Sequence, residues 1–120
     1  MEYQKALIVD DNVPMAEVLV EMLEVFDVDA ITVQDGETAL RSINEEPINL
    51  VITDLRMPKM SGVELLKSIK AQNPDLPVIV ISGYSLSSDD NHTVRDIADG
   101  FLSKPFKMED IRALLDRLQQ

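Results

Sequence analysis

The chain has 120 residues, 45% of them hydrophobic and 28% charged, a size and composition that suit one folded domain and exclude both disorder and a second domain. It contains no Cys, which excludes disulfides and cysteine-ligated zinc and fits a reducing compartment. The formal net charge of −11 includes no basic stripe, so direct nucleic-acid binding is not expected. No apolar run approaches the ~20 residues of a membrane span.

The opening Met-Glu-Tyr-Gln-Lys leads straight into a strand pattern, so no signal peptide is expected and the expected location is the cytoplasm. Ala6-Leu7-Ile8-Val9 is apolar without alternation, as in a central strand buried on both faces. It ends in Asp10-Asp11. Over residues 14–26 a helix is expected, with Pro14 in its first turn and a stripe of Met15, Val18, Leu19, Met22, Leu23 and Phe26. Ala30-Ile31-Thr32-Val33 reads as the second strand, ending near Gln34-Asp35, and residues 36–45 as the second helix. Leu50-Val51-Ile52-Thr53 is the third strand and runs directly into Asp54.

Residues 61–72 carry a third helical stripe of Val63, Leu65, Leu66 and Ile69. The fourth strand, Val78-Ile79-Val80-Ile81, ends in Ser82-Gly83. Somewhere in residues 88–98 lies the weakest helical pattern, preceded and begun by poor helix formers. Gly100-Phe101-Leu102-Ser103 is a weaker last strand before Lys104-Pro105, and residues 108–118 form a final helix striped with Ile111, Leu114, Leu115 and Leu118. Pro47, Pro74 and Pro77 fall between elements. Strand and helix alternate throughout, so a parallel sheet with helices on both faces is expected.

In such sheets the functional crevice lies at the carboxyl ends of the strands. Reading those ends in order gives Asp10, Asp11, Asp54, Ser82 and Lys104. Three carboxylates brought together repel, and a hard divalent cation relieves them. Oxygen ligands without His or Cys favour Mg²⁺ over zinc. Lys104 adds a positive charge for an anion and Ser82 a hydroxyl donor. A carboxylate nucleophile can accept a phosphoryl group. Taken alone, Asp10-Asp11 also suits a helix cap, and His92, in a polar run, is read as solvated.

The ordered set Asp10-Asp11, Asp54-Leu55-Arg56-Met57-Pro58 with Gly62, Ser82-Gly83, and Phe101 before Lys104-Pro105-Phe106 resembles the response-regulator receiver domains of two-component signalling over nearly the whole chain. The resemblance implies one receiver domain over residues 1–120 with a flavodoxin-like, doubly wound, five-stranded sheet ordered 2-1-3-4-5. It implies Asp54 as phosphoacceptor and a Mg²⁺ site made by Asp11, Asp54 and the backbone carbonyl of Arg56, with Asp10 acting through water. It implies Lys104 on the phosphoryl group, with Ser82 and Phe101 as the switch pair. The implied partners are a sensor histidine kinase or phosphotransfer protein and a downstream protein target or output domain. In place of the commoner Tyr the chain has Phe101, and the Gly often found near the end of the fourth helix is absent around Asp96-Ile97-Ala98.

Two other readings use the same residues. A haloacid-dehalogenase-type phosphatase also has an Asp nucleophile and Mg²⁺, but it needs a second Asp two positions later, where this chain has Arg56. A receiver-like interaction module that is never phosphorylated would have no use for the full acid set and Lys104.

Overall fold

All five residues of the third strand are buried, with Leu50, Val51, Ile52 and Thr53 no more than 1% exposed. A strand covered on both faces has no use for alternation, which is why this run reads as continuously apolar. The structure is a computed structural model that describes residues 5–55, 60–82, 94, 96–104 and 106–118. The strands are β1 (Lys5–Val9), β2 (Asp29–Val33), β3 (Leu50–Asp54), β4 (Val78–Ser82) and β5 (Gly100–Ser103). The helices are α1 (Val13–Val25), α2 (Gly36–Glu45), α3 (Gly62–Gln72) and, last in the chain, α4 (Met108–Leu118). All four strand pairings are parallel and the order is β2-β1-β3-β4-β5, the expected arrangement. Among the described residues no helix is long and apolar enough to cross a membrane.

The sheet divides the core by the parity of the strands. Ile8, Ile52, Ile81 and Leu102 face α1 and α4, where Leu19, Leu23, Ile111 and Leu115 meet them. Leu7, Val9, Val51 and Val80 face α2 and α3, closing on Ala39, Leu66 and Ile69. The stripes expected in α3 and α4 are buried, apart from a half-buried Leu118.

The stripe expected in the first helix is corrected. Ala16, Leu19 and Leu23 make its buried line, Val18 is 44% exposed, and Met15, Met22 and Phe26 are half-buried. Six apolar residues cover a wider arc than one sheet face can bury. The line through Ala16 wins because a small side chain lets the helix lie close. Most of the weak pattern over residues 88–98 lies outside the described residues. Val94, Asp96 and Ile97 are helical, and the Ala98 N–H donates to the Val94 carbonyl at 2.9 Å.

Helix ends follow side-chain chemistry. Asn12, Asp35 and Ser61 each accept a backbone N–H from three residues on and so start α1, α2 and α3. Helix α1 stops at Asp27, which has φ 62°. The Asp27 N–H donates to the Glu24 carbonyl and the Val28 N–H to the Leu23 carbonyl, both at 3.0 Å, a Schellman ending. A left-handed aspartate there suffers from its Cβ and adds negative charge at the negative end of the helix. Asp27→Gly should therefore stabilise the domain by roughly 1 kcal/mol. Urea denaturation checks this, and a midpoint at or below the parent's would show a compensating contact of the carboxylate.

At the amino-terminal end of the sheet, Lys70 of α3 closes a compact polar knot. Its Nζ donates to Asp99 Oδ2 at 2.5 Å, to the Leu76 carbonyl at 2.8 Å and to the Pro74 carbonyl at 3.4 Å. Asp99 Oδ2 also accepts the Val78 N–H at 2.8 Å, while the Asp99 N–H donates to the Val78 carbonyl at 2.9 Å.

Candidate phosphoryl and metal site

Asp10, Asp54 and Lys104 continue the strand lines of Ile8, Ile52 and Leu102, so period-two geometry aims all three to the α1/α4 side of the sheet. The register does the rest. Val9 pairs with Thr53, Asp54 with Ile81 and Ser82 with Ser103, which sets the strand ends side by side. The Asp10 N–H still bonds the Val33 carbonyl at 3.1 Å, holding its backbone to the sheet where its side chain leaves it.

Carboxylate oxygens of Asp10, Asp11 and Asp54 all lie within 4.8 Å of one another, with Asp10 and Asp54 buried and Asp11 exposed. Lys104 Nζ donates to Asp54 Oδ2 at 3.3 Å. The helix-cap reading of the acidic pair gives way here, because Asn12 caps α1. Asp10 instead accepts the Asn12 N–H through Oδ1 at 2.9 Å. Its other oxygen is buried with no hydrogen-bond partner among the described residues. Burial pushes the Asp10 carboxyl above the usual carboxylate range, and the charges of Asp54 and Asp11 push the same way. The Asn12 N–H and Lys104 oppose them.

Among the described residues, one ammonium stands against the three carboxylates of the cluster. The orphaned oxygen of Asp10 is a buried acceptor with no donor among the described residues, and the three candidate ligands are all carboxylate oxygens. This set fits a hard divalent cation such as Mg²⁺ and does not fit zinc. Asp35, at the end of β2, lies outside the cluster and serves as the cap of α2.

Of the remaining expected residues, Arg56 and the side chain of Ser82 lie outside the described residues. Ser82 ends β4 as expected. Phe101, on edge strand β5, is 43% exposed and so is not a core residue in this conformation. Sequence reasoning passed over Thr53. It is completely buried, and its hydroxyl donates to the Asp54 carbonyl at 2.9 Å. The signal was present: it is the one hydroxyl in an otherwise apolar run leading to Asp54.

Comparison with known proteins agrees with this geometry. Residues 6–116 match the family model described as the response regulator receiver domain. The transcriptional regulatory protein ZraR of Escherichia coli (strain K12) is 31% identical over 111 residues, covering 92% of this chain and 25% of that protein. The alkaline phosphatase synthesis transcriptional regulatory protein PhoP of Bacillus subtilis (strain 168) is 30% identical over 110 residues, covering 92% of this chain and 46% of that protein. The chain therefore spans about a quarter to a half of these curated relatives. A response regulator receiver protein from Pseudomonas putida, solved by crystallography, superposes with a TM-score of 0.87 at 30% identity, covering 98% of each chain. A family match running from residue 6 to residue 116, on a sheet whose shape a solved receiver shares, makes this chain a member of the response regulator receiver domain family.

Proposed function

We propose that the chain is a phosphoryl-accepting switch in which Asp54 is the acceptor. The observation that carries this reading is the convergence of Asp10, Asp11 and Asp54 with Lys104 Nζ 3.3 Å from Asp54 Oδ2. Receiver domains are signalling switches rather than enzymes acting on separate substrates. In the reaction, a carboxylate oxygen of Asp54 attacks phosphorus, the P–N bond of a phosphohistidine breaks, and the imidazole leaves and takes up a proton. Asp11, Asp54 and the Arg56 carbonyl would hold Mg²⁺ directly and Asp10 through water. When bound, it neutralises charge on the phosphoryl oxygens.

Lys104 offsets the acceptor's charge before transfer and meets a phosphoryl oxygen after it. Ser82 and Phe101 turn the modification into a change of surface, with Phe101 leaving the exposed position it has here. The donor is a sensor histidine kinase or phosphotransfer protein, and the listener is a downstream protein or an output domain, in the cytoplasm. Arg56 in the position of a phosphatase's second Asp disfavours the enzyme reading.

A small-molecule phosphodonor with Mg²⁺ should add one phosphoryl group, mapped by peptide mass to Asp54. Asp54→Asn should abolish labelling, and Asp11→Ala should lose it almost as completely. Label on Ser82, or no label on the parent, sinks the reading.

A further inference from the structure

The Asp54 carboxylate is held by what grips its own backbone. Thr53 lies on the α2/α3 side of β3, fully buried, and its hydroxyl donates to the Asp54 carbonyl at 2.9 Å. Gly62, the first residue of α3, presses on the same group. A Cβ at Gly62 would lie 2.3 Å from the Asp54 carbonyl oxygen, 2.6 Å from Leu55 Cα and 3.0 Å from the Asp54 carbonyl carbon. These are backbone atoms of a buried central strand and cannot swing aside. The Gly62 N–H donates to the Leu55 carbonyl at 3.0 Å, tying the start of α3 to the peptide that follows Asp54. No described glycine has positive φ, so Gly62 is required for close approach and not for backbone conformation. Gly36 provides the contrast: a Cβ there meets Met60 Sδ at 2.6 Å and Met60 Cβ and Cγ at 3.2 Å, all atoms of one flexible side chain and none of them backbone.

We infer that Thr53 and Gly62 are positioning residues for Asp54, fixing its peptide plane and thereby the place of its carboxylate in the acid cluster. With its carbonyl held between a buried hydroxyl and a bare Cα, Asp54 has little freedom to turn about the strand axis. A methyl group on Gly62 displaces the carbonyl, and the carboxylate moves with the residue. Loss of the Thr53 hydroxyl removes one constraint on the same carbonyl without adding bulk. The inference rests on Asp54 as acceptor for its kinetic part, whereas the affinity for Mg²⁺ measures the placement of the carboxylate whether or not it is phosphorylated.

The test uses the full chain with four variants: Gly62→Ala, Thr53→Val, Thr53→Ser and Gly36→Ala. Each is checked for fold by circular dichroism, titrated with Mg²⁺ by NMR, and labelled at saturating phosphodonor and Mg²⁺. Because an ångström of misplacement can cost a hundredfold in rate, Gly62→Ala and Thr53→Val should slow labelling by about tenfold or more. Both should also weaken Mg²⁺ binding, Thr53→Ser should recover most of each loss, and Gly36→Ala should stay within about twofold of the parent. A role in stability alone would leave the Mg²⁺ affinity of the folded variants unchanged. Parental rate and affinity in folded Gly62→Ala and Thr53→Val overturn the inference, as does an equal loss in Gly36→Ala. Should Gly62→Ala not fold, the threonine pair decides, and Val behaving like Ser overturns it. Should the parent bind Mg²⁺ without being labelled, the acceptor reading falls and the Mg²⁺ affinities alone decide the positioning.

Discussion

Asp10→Asn should melt above the parent in chelator and below it in saturating Mg²⁺. Asp10 is 2% exposed, with one oxygen orphaned among the described residues, and its carboxyl is pushed up by burial and by Asp54 and Asp11. A carboxyl raised in the folded state ionises at a cost to the fold. Stability falls as pH rises from the unfolded value through the folded one, and the deficit persists above it. The amide removes that deficit, keeps the acceptor for the Asn12 N–H and offers a donor to the neighbouring carboxylates. Relieving a buried, unsatisfied polar group is worth on the order of 1–2 kcal/mol, or roughly 4–8 °C in a domain of this size.

Mg²⁺ reverses the order. At a hundredfold excess over its dissociation constant it stabilises the parent by ~2.7 kcal/mol and, with one acid gone, the variant by much less. Melts of both proteins with chelator and with Mg²⁺ check the crossing. In chelator the gap should close as the pH falls toward the unfolded carboxyl range. A gap independent of pH, or equal gains from Mg²⁺, would show that Asp10 does not belong to one charged cation site.

The second large effect is expected at the opposite end of the sheet. Lys70→Met removes the ammonium that joins α3, the Pro74–Leu76 connection and the approach to β5. The Lys70 and Asp99 side chains are 16% and 34% exposed, so solvent screens part of the pair. The loss should be about 2–3 kcal/mol, below that of a fully buried ion pair. Asp99→Ala should cost a similar amount, since it also strips the Val78 N–H of its side-chain acceptor. Urea unfolding of both single variants and the double should yield a coupling of about 1–2 kcal/mol. Simple additivity would show that the members of the knot lie side by side with no energetic link.

Nearly all of the sheet could be read in advance, because buried parallel strands are continuous apolar runs, and here each run is followed by a polar residue. Asp54 and Ser82 end β3 and β4 as read, whereas two strand starts shifted by a single residue: Lys5 and Asp29 enter β1 and β2 earlier than the apolar run suggests. A polar residue at the start of a strand carries no hydropathy signal, so only the ladder reveals it. The outer face of α1 was misread for the opposite reason, since Val18 is apolar without being inside. The acids were legible as strand ends. The knot between Lys70 and Asp99 was not, since a lysine on a helix and an aspartate in a loop, 29 positions apart, share no pattern before the sheet brings them together.

The register that sets Val9 against Thr53 also has a meaning in time. In the unfolded chain Asp10 and Asp54 are separated by the whole stretch of sequence that later forms α1, β2 and α2, and their repulsion is negligible. It begins only when β1 docks beside β3 and their tips are aligned. If that docking precedes the folding transition state, neutralising Asp10 speeds folding; if it follows, neutralisation slows unfolding instead. The acid cluster is therefore a clock built into the central strands, and the division of its effect between the two rates records when the middle of the sheet closes.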